Sequence, residues 1–406
     1  MLPSAVRRLG PLTQRAKHAL NDSRSRIVLA VAAGWFISLG VRMVYPVLLP
    51  HIRTAYGLDL TSAGFLLTVL WAAYALGQLP GGIVSDRMGE RITLVVSTLI
   101  AGLMLLLVVG AGSAIVVFAA TALFGFGTAL YGVARFTIIS KTYPDNGGAA
   151  IGVTLAAGDL GNAILPVVAS VIATAFVWQL GFGFVVPLFA LVSIGLWFVV
   201  PKQAADADES EMVLSRETAR YVVSELRRPP IVVVTLILVL GFSLALTLTG
   251  FYPTYLIEEK GLSPAVAATL FSLYFALGVF VKPLAGSAYD QFGIRRTLPV
   301  IFVLAIVALL SLSVVESLWS LVLVTVLLSS LLGNIAITMP YLTDLLPEEI
   351  QGTSLGLLRT TYMLFAAASP PLFGILADHG YFDEGFVLLA AVAGTMALLV
   401  LFLPRQ

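Results

Sequence analysis

Cysteine is absent from the 406 residues, which excludes disulfides, thiolate metal sites and cysteine nucleophiles and leaves the redox compartment open. Histidine is nearly absent as well. His18, His51 and His379 are too scattered for a metal-binding pair on one helix. Charge is scarce: 11% of residues are Asp, Glu, Lys or Arg, where a soluble domain carries roughly a quarter. The signs balance, 23 basic against 22 acidic, so no global field attracts nucleic acid. No nucleophile is paired with a base and no cofactor motif stands out, so neither an enzyme nor a cofactor is expected.

Apolar residues fill the chain instead, at 59% of the sequence with a mean hydropathy of +0.99. A helix crossing about 30 Å of hydrocarbon needs about 20 such residues. Twelve stretches qualify: 27–52, 62–84, 92–112, 114–139, 149–173, 178–200, 231–256, 264–286, 297–315, 317–340, 353–376 and 384–403. Their hydrophobicity is continuous, not alternating, which excludes a β-barrel. The expected fold is an all-α membrane protein.

Residues 1–26 are basic and polar and lack the short apolar core of a signal peptide, so they read as a cytoplasmic tail. With that tail inside, Arg87, Arg91, Lys141, the five basic residues of the central loop, Arg295, Arg296 and Arg405 also fall inside, and Arg53 and Lys260 outside. Both termini are therefore expected in the cytoplasm, in the cell membrane. Within the central loop, Ala219, Val222, Val223 and Leu226 form an apolar stripe at helical spacing. It suits a linker helix on the inner membrane face or, alternatively, a partner-docking helix.

The loop divides a repeat. A shift of 204 residues carries Gln78 to Lys282, Gly82 to Gly286, Asp86 to Asp290, Gly89 to Gly293, Arg91 to Arg295, Gly148 to Gly352, Gly152 to Gly356 and Pro166 to Pro370. Two six-helix halves in parallel repeat are one architecture of secondary transporters. The expected organisation is a tail (1–26), an N-terminal bundle (27–201), a linker (202–230) and a C-terminal bundle (231–406).

On these residues the chain resembles the Major Facilitator Superfamily over about residues 27–404. The family's loop signature stands as Gly82, Asp86, Arg87, Gly89 and Arg91. A weaker copy stands as Gly286, Asp290, Gly293 and Arg295, with Gln291 in the second arginine's place. The resemblance implies two pseudo-symmetric six-helix bundles in which the second span neighbours the eleventh and the fifth neighbours the eighth. A carboxylate on a tight loop can reach a helix N-terminus in the other half, where unpaired amides favour an anion. Asp86 is thus expected to meet Gly352, Thr353 and Ser354, and Asp290 to meet Gly147 and Gly148, when the cytoplasmic side closes. The other reading is that these charges only stop the helix and keep it inside.

Ionisable residues within spans are costly and hence candidate functional groups. Lys282 and Arg135 lie near enough to the inner boundary to snorkel, and Lys282 should face span five. Arg42 sits about 22 Å up span one. The segment GVRMVYPVLLP resembles the first span of organic-anion and organophosphate carriers of the superfamily, which implies an anion-binding arginine; the other readings are a structural hydrogen-bond donor to neighbouring carbonyls and an interfacial residue. Asp159 is the one carboxylate near the midplane. Burial there favours its neutral form and a nearby cation its charged form, so a site alternating between wet and closed states can take up and release a proton. It could equally be a static partner of an arginine. Arg359 corresponds to Leu155 by the repeat, one turn below Asp159, and suits an anion contact or the partner of Asp159. Tyr45, Trp71, Tyr74 and Tyr131 are aromatic candidates for the cavity wall. Gly125, Gly127, Gly132, Gly158 and Gly161 read as close-packing positions.

Two departures count against drug antiport. The position four residues before Gly125 holds Thr121 where the family's drug/proton antiporters often have arginine, and span five has Gly158, Gly161, Asn162 and Pro166 without a Gly-Pro pair. The expected function is secondary active transport of a small organic solute, an anion, by alternating access. The coupling ion is the proton, with sodium as the alternative. Substrate, protons and lipid are the expected partners of a monomer that binds no nucleic acid. A drug/proton antiporter and a transporter-like nutrient sensor are the competing readings.

Overall fold

The computed structural model describes residues 23–143, 147–202 and 216–404, and among them every regular element is helical. Residues 1–22 of the basic tail, the acidic part of the central loop and Arg405 lie outside the described residues, whereas 23–26, read as tail, are the first turn of a membrane helix. Twelve helices are long and apolar enough to span a bilayer: α1 (Ser23–Tyr56), α2 (Leu60–Met88), α3 (Glu90–Val109), α4 (Ala114–Thr142), α5 (Gly147–Ala175), α6 (Leu180–Val199), α7 (Pro229–Glu258), α8 (Pro264–Phe292), α9 (Ile294–Leu312), α10 (Leu318–Leu345), α11 (Gln351–Asp378) and α12 (Phe382–Val400). A linker helix, Arg216–Leu226, precedes α7, with Val222 buried, Leu226 packed on the second half and Val223 exposed. Stripes such as Leu99, Leu103 and Leu106 on α3 face outward about half exposed. Water would penalise that surface at about 25 cal/mol per Å², and lipid does not. The chain is a multi-pass membrane protein.

The 204-residue register extends to the helix ends. The starts of α2, α3, α4 and α5, at 60, 90, 114 and 147, recur at 264, 294, 318 and 351 in α8 to α11. One residue separates α2 from α3 and α8 from α9. These are Gly89 (φ 80°, ψ 155°) and Gly293 (φ 73°, ψ 169°), in a backbone region that a side chain all but forbids. Arg91 lies 4.1 Å over the Trp197 ring of α6, and Arg295 donates to the Leu401 carbonyl just beyond α12. These two contacts are also one register apart, so each arginine fastens its turn to the last helix of its own half.

The structure distinguishes a linker end, which carries Gly89, Gly293 and the linker helix, from a far end. At the far end the halves are joined by one continuous apolar core, which divides at the linker end into separate cores. Gly64 of α2 lies against the backbone of Pro370 and Pro371, and Gly374 of α11 against the Leu60 carbonyl, so that a Cβ at either would clash. At the linker end the α5, α8 and α11 glycines Gly147, Gly148, Gly152, Gly286, Gly352 and Gly356 face open space. Asp86 and Asp290 are exposed there, with no hydrogen bond or ion pair among the described residues. The molecule is closed at the far end and open at the linker end.

Two prolines build the far-end seal. Pro370 and Pro371 have no N–H to give the carbonyls of Ala366 and Ala367, and α11 breaks there. The Ser369 hydroxyl takes the Ala366 carbonyl at 2.8 Å, and the Thr68 hydroxyl of α2 takes that of Ala367 at 2.5 Å across the seam. Past the break, Asp378 accepts hydrogen bonds at 2.8 Å from the amides of Leu60 and Thr61 in the first turn of α2. Asp59 accepts the Ser62 amide at 2.7 Å, and the Ala63 amide returns to the Asp59 carbonyl. The three free amides of the first turn, those of Leu60, Thr61 and Ser62, are thereby satisfied, two of them by the other half, and the Ala63 bond begins the regular helical pattern. Arg53 and Glu258 pair beside them. Asp378→Asn removes a charge-assisted latch worth about 1.5–3 kcal/mol, an expected shift of about ten- to a hundredfold toward far-end opening. Spin-label distances between α2 and α11 at that end check it, and unchanged distances count against the latch.

Candidate functional site

Asp159 lies twelve residues into α5, about 18 Å from its linker-end start, and Lys282 lies ten residues before the end of α8, about 15 Å from the same side. Similar depth on packed helices of opposite halves brings them together. The Lys282 ammonium donates to both Asp159 carboxylate oxygens, at 2.7 and 2.8 Å. The pair borders a cavity of about 430 Å³ between the halves, walled also by Trp35, Phe242, Tyr274 and Asn334. Lys282 therefore does not snorkel alone, and the cation that meets Asp159 is Lys282, not Arg359. A larger groove of about 630 Å³ between α8, α9 and α10 is lined by outward-facing Phe280, Leu284 and Val300 and belongs to the lipid surface.

A second constellation lies behind Trp35. On α1, Trp35, Ser38 and Arg42 share one face by their spacing; on α2, so do Trp71 and Tyr74. The Arg42 guanidinium is 1% exposed and sits 4.0 Å from the Tyr74 ring centre, 5.3 Å from Trp35 and 5.4 Å from Trp71. Its Nε donates to the Ser38 carbonyl at 3.1 Å, and its Nη2 has no protein acceptor. Arg135 of α4 is 2% exposed, 3.6 Å from the centre of the same Trp35 ring, with Nη1 likewise unpartnered. Arg135 is thus held inside the bundle and not drawn to the boundary. Arg359 reaches in from α11, half-buried, and all three guanidinium groups act electrostatically on the Tyr74 hydroxyl. Among the described residues no carboxylate is found in the groups acting on Arg42 or Arg135.

Magnitudes show what this arrangement lacks. Removing one ion from water costs several kcal/mol, and each aromatic face returns about 0.5–2 kcal/mol. Two rings at Arg135 fall short of that cost and three at Arg42 come close to it, and in neither place do they cancel the charge, which an anion on the unpartnered N–H groups would do.

The other candidates serve packing. Tyr45 is fully buried toward the far end, accepts from the Thr121 hydroxyl at 3.2 Å and packs on Phe182. Tyr131 donates to the Val31 carbonyl at 2.7 Å and stacks on Trp35, which it props. Gly158 and Gly161 of α5 let α1 approach so closely that a Cβ would strike Trp35 and the Phe36 carbonyl. Trp35 is the residue that reading the sequence missed. Its spacing of seven from Arg42, two turns along one face, was the available signal.

The sequence profile described as the Major Facilitator Superfamily matches residues 30–334 and, in a second match, 247–406. The chain belongs to the Major Facilitator Superfamily. Among its relatives in this superfamily is the "Hexuronate transporter" of Bacillus subtilis, 24% identical over 377 residues, covering 88% of this chain and 89% of the relative. Another is the "Probable sulfoacetate transporter SauU" of Cupriavidus necator, 27% identical over 413 residues and 94% of each chain. Among solved structures, a bacterial homologue of the human lysosomal transporter Spinster, in an inward-facing and occupied conformation, superposes with a TM-score of 0.75 at 18% identity, covering 93% of this chain and 96% of that one. The superfamily fold and the two pseudo-symmetric bundles expected from the signature are those observed.

Proposed function

We propose that this protein is a proton-coupled secondary transporter of a small organic anion, working by alternating access in the cell membrane with both termini in the cytoplasm. The observation that carries this reading is Arg42, a guanidinium near mid-membrane with an unpartnered N–H and, among the described residues, no carboxylate acting on it. Arg359 adds a second positive charge from the other half. The relatives named for hexuronate and sulfoacetate agree, because both solutes carry acid groups.

In this reading the linker end is cytoplasmic and the structure is inward-open. Asp86 would engage the start of α11 at Gly352 to Ser354, and Asp290 the start of α5 at Gly147 and Gly148, once that end closes. Asp159 carries the proton. Its carboxylate holds Lys282 across the seam at 2.7 Å, and a neutral carboxyl releases that ion pair. Proton uptake and loosening of the α5–α8 contact are then one event, which is what coupling a proton to a rocking motion requires.

Liposomes holding the protein and a trapped pH dye test the proposal in sodium-free buffer. Pooled organic anions are expected to drive proton movement, and lipophilic cations are not. A response to the cations alone establishes the drug-antiport reading instead, and anion transport that needs sodium without moving protons overturns the choice of coupling ion.

A further inference from the structure

We propose, resting on the anion-carrier reading above, that Arg135 is a substrate-binding cation beside Arg42 and that the carried anion is a dianion with two acid groups on a short skeleton. Both guanidinium groups lie over the Trp35 ring, at 5.3 and 3.6 Å from its centre, so they belong to one site. Each is at least nine-tenths buried, and each keeps one N–H without a protein acceptor, Nη2 of Arg42 and Nη1 of Arg135. Structural arginines in a bundle spend those donors on carbonyls. Here Arg42 and Arg135 each give one Nε bond to their own helix, to Ser38 and Gly132, and each keeps one buried Nη without a protein acceptor.

Charge decides the class of ligand. In the state shown Asp159 is paired with Lys282, and that pair is neutral. Among the described residues Arg42 and Arg135 are the two deeply buried cations left, while Arg359 is half-buried and can keep water. A monoanion would leave one of the two uncompensated when the site closes, and a dianion neutralises both. Trp35, Trp71 and Tyr74 cover the face of Arg42, and Trp35 and Phe136 that of Arg135, which leaves the in-plane N–H edges for acid groups. The skeleton must be short, because both cations share a single indole.

The test measures binding to purified protein at neutral pH for dicarboxylates from malonate to adipate and for sulfoacetate. Each is compared with the monoamide of the same skeleton, in wild type, Arg135→Gln and Arg135→Lys, with melting temperature as the check on folding. In the wild type at least one dianion is expected to bind about ten- to a hundredfold more tightly than its monoamide, the range of one charge-assisted hydrogen-bonded contact. Arg135→Gln should erase that preference while leaving the monoamide's Kd within about threefold, and Arg135→Lys should restore part of it. Equal Kd values for dianion and monoamide in the wild type, or an equal loss of both in Arg135→Gln, overturn the dianion assignment and leave the anion-carrier reading standing. Absence of binding by every anion to well-folded wild-type protein overturns both.

Discussion

Asp159→Asn is expected to abolish uphill, pH-driven accumulation of the anion while leaving downhill exchange measurable. A pH step of one unit supplies about 1.4 kcal/mol per coupled proton and so at most about tenfold accumulation. The asparagine variant has no proton to couple and should settle at a ratio of one. The substitution also strands Lys282. Breaking a fully buried pair costs about 3–5 kcal/mol, but Lys282 is 38% exposed, so solvent reduces the penalty to about 1 kcal/mol. A modest fall in melting temperature is expected, and Asp159→Asn with Lys282→Gln should reverse that fall without restoring accumulation. This double variant separates the two roles of the carboxylate. If it regained pH-driven accumulation, the proton would have to travel on another group, and Asp159 would be a structural counter-ion.

Much of the architecture was legible because it is written in periodic or backbone-restricted residues. Continuous apolar runs placed all twelve spans, and the glycines at 89 and 293 could be read as turns because their backbone region excludes side chains. The ends were less legible. α1 runs from Ser23 to Tyr56, a turn beyond its apolar run at each end, because helical hydrogen bonding continues into polar sequence where nothing interrupts it. The break in α11 was encoded in Pro370 and Pro371, but which groups would take the freed carbonyls depends on packing against α2. The site was legible as a set of depths and not as a set of pairs. Depth along a helix follows from counting residues, so Asp159, Arg42 and Arg359 stood out. Partnership depends on helix rotation and on which helices of the other half lie opposite, and a lysine two turns from a boundary can either snorkel or turn inward. Lys282 turns inward because Asp159 waits at a similar height. Arg135 turns inward because Trp35, an aromatic in an apolar run with no special signature, offers it a face at 3.6 Å.

Arg42→Leu is expected to lower anion transport at least a hundredfold while leaving the protein about as stable as the wild type. The three cation–π contacts, at about 0.5–2 kcal/mol each, and one hydrogen bond to Ser38 together roughly match a desolvation cost of several kcal/mol, so exchanging the guanidinium for a hydrocarbon of lesser volume changes stability little. An anion bound by that guanidinium loses a charge-assisted, bidentate contact, and the closed state must then bury the anion's charge with a partner missing. Arg42→Lys keeps the charge without the planar fork and should fall between the two. Melting temperature and uptake measured on the same preparations decide the matter. A variant that unfolds, with uptake falling only in proportion to the folded fraction, would make Arg42 a structural donor to neighbouring carbonyls. A variant that folds and still transports at the wild-type rate would remove the charge requirement altogether, the result expected of a carrier for lipophilic solutes.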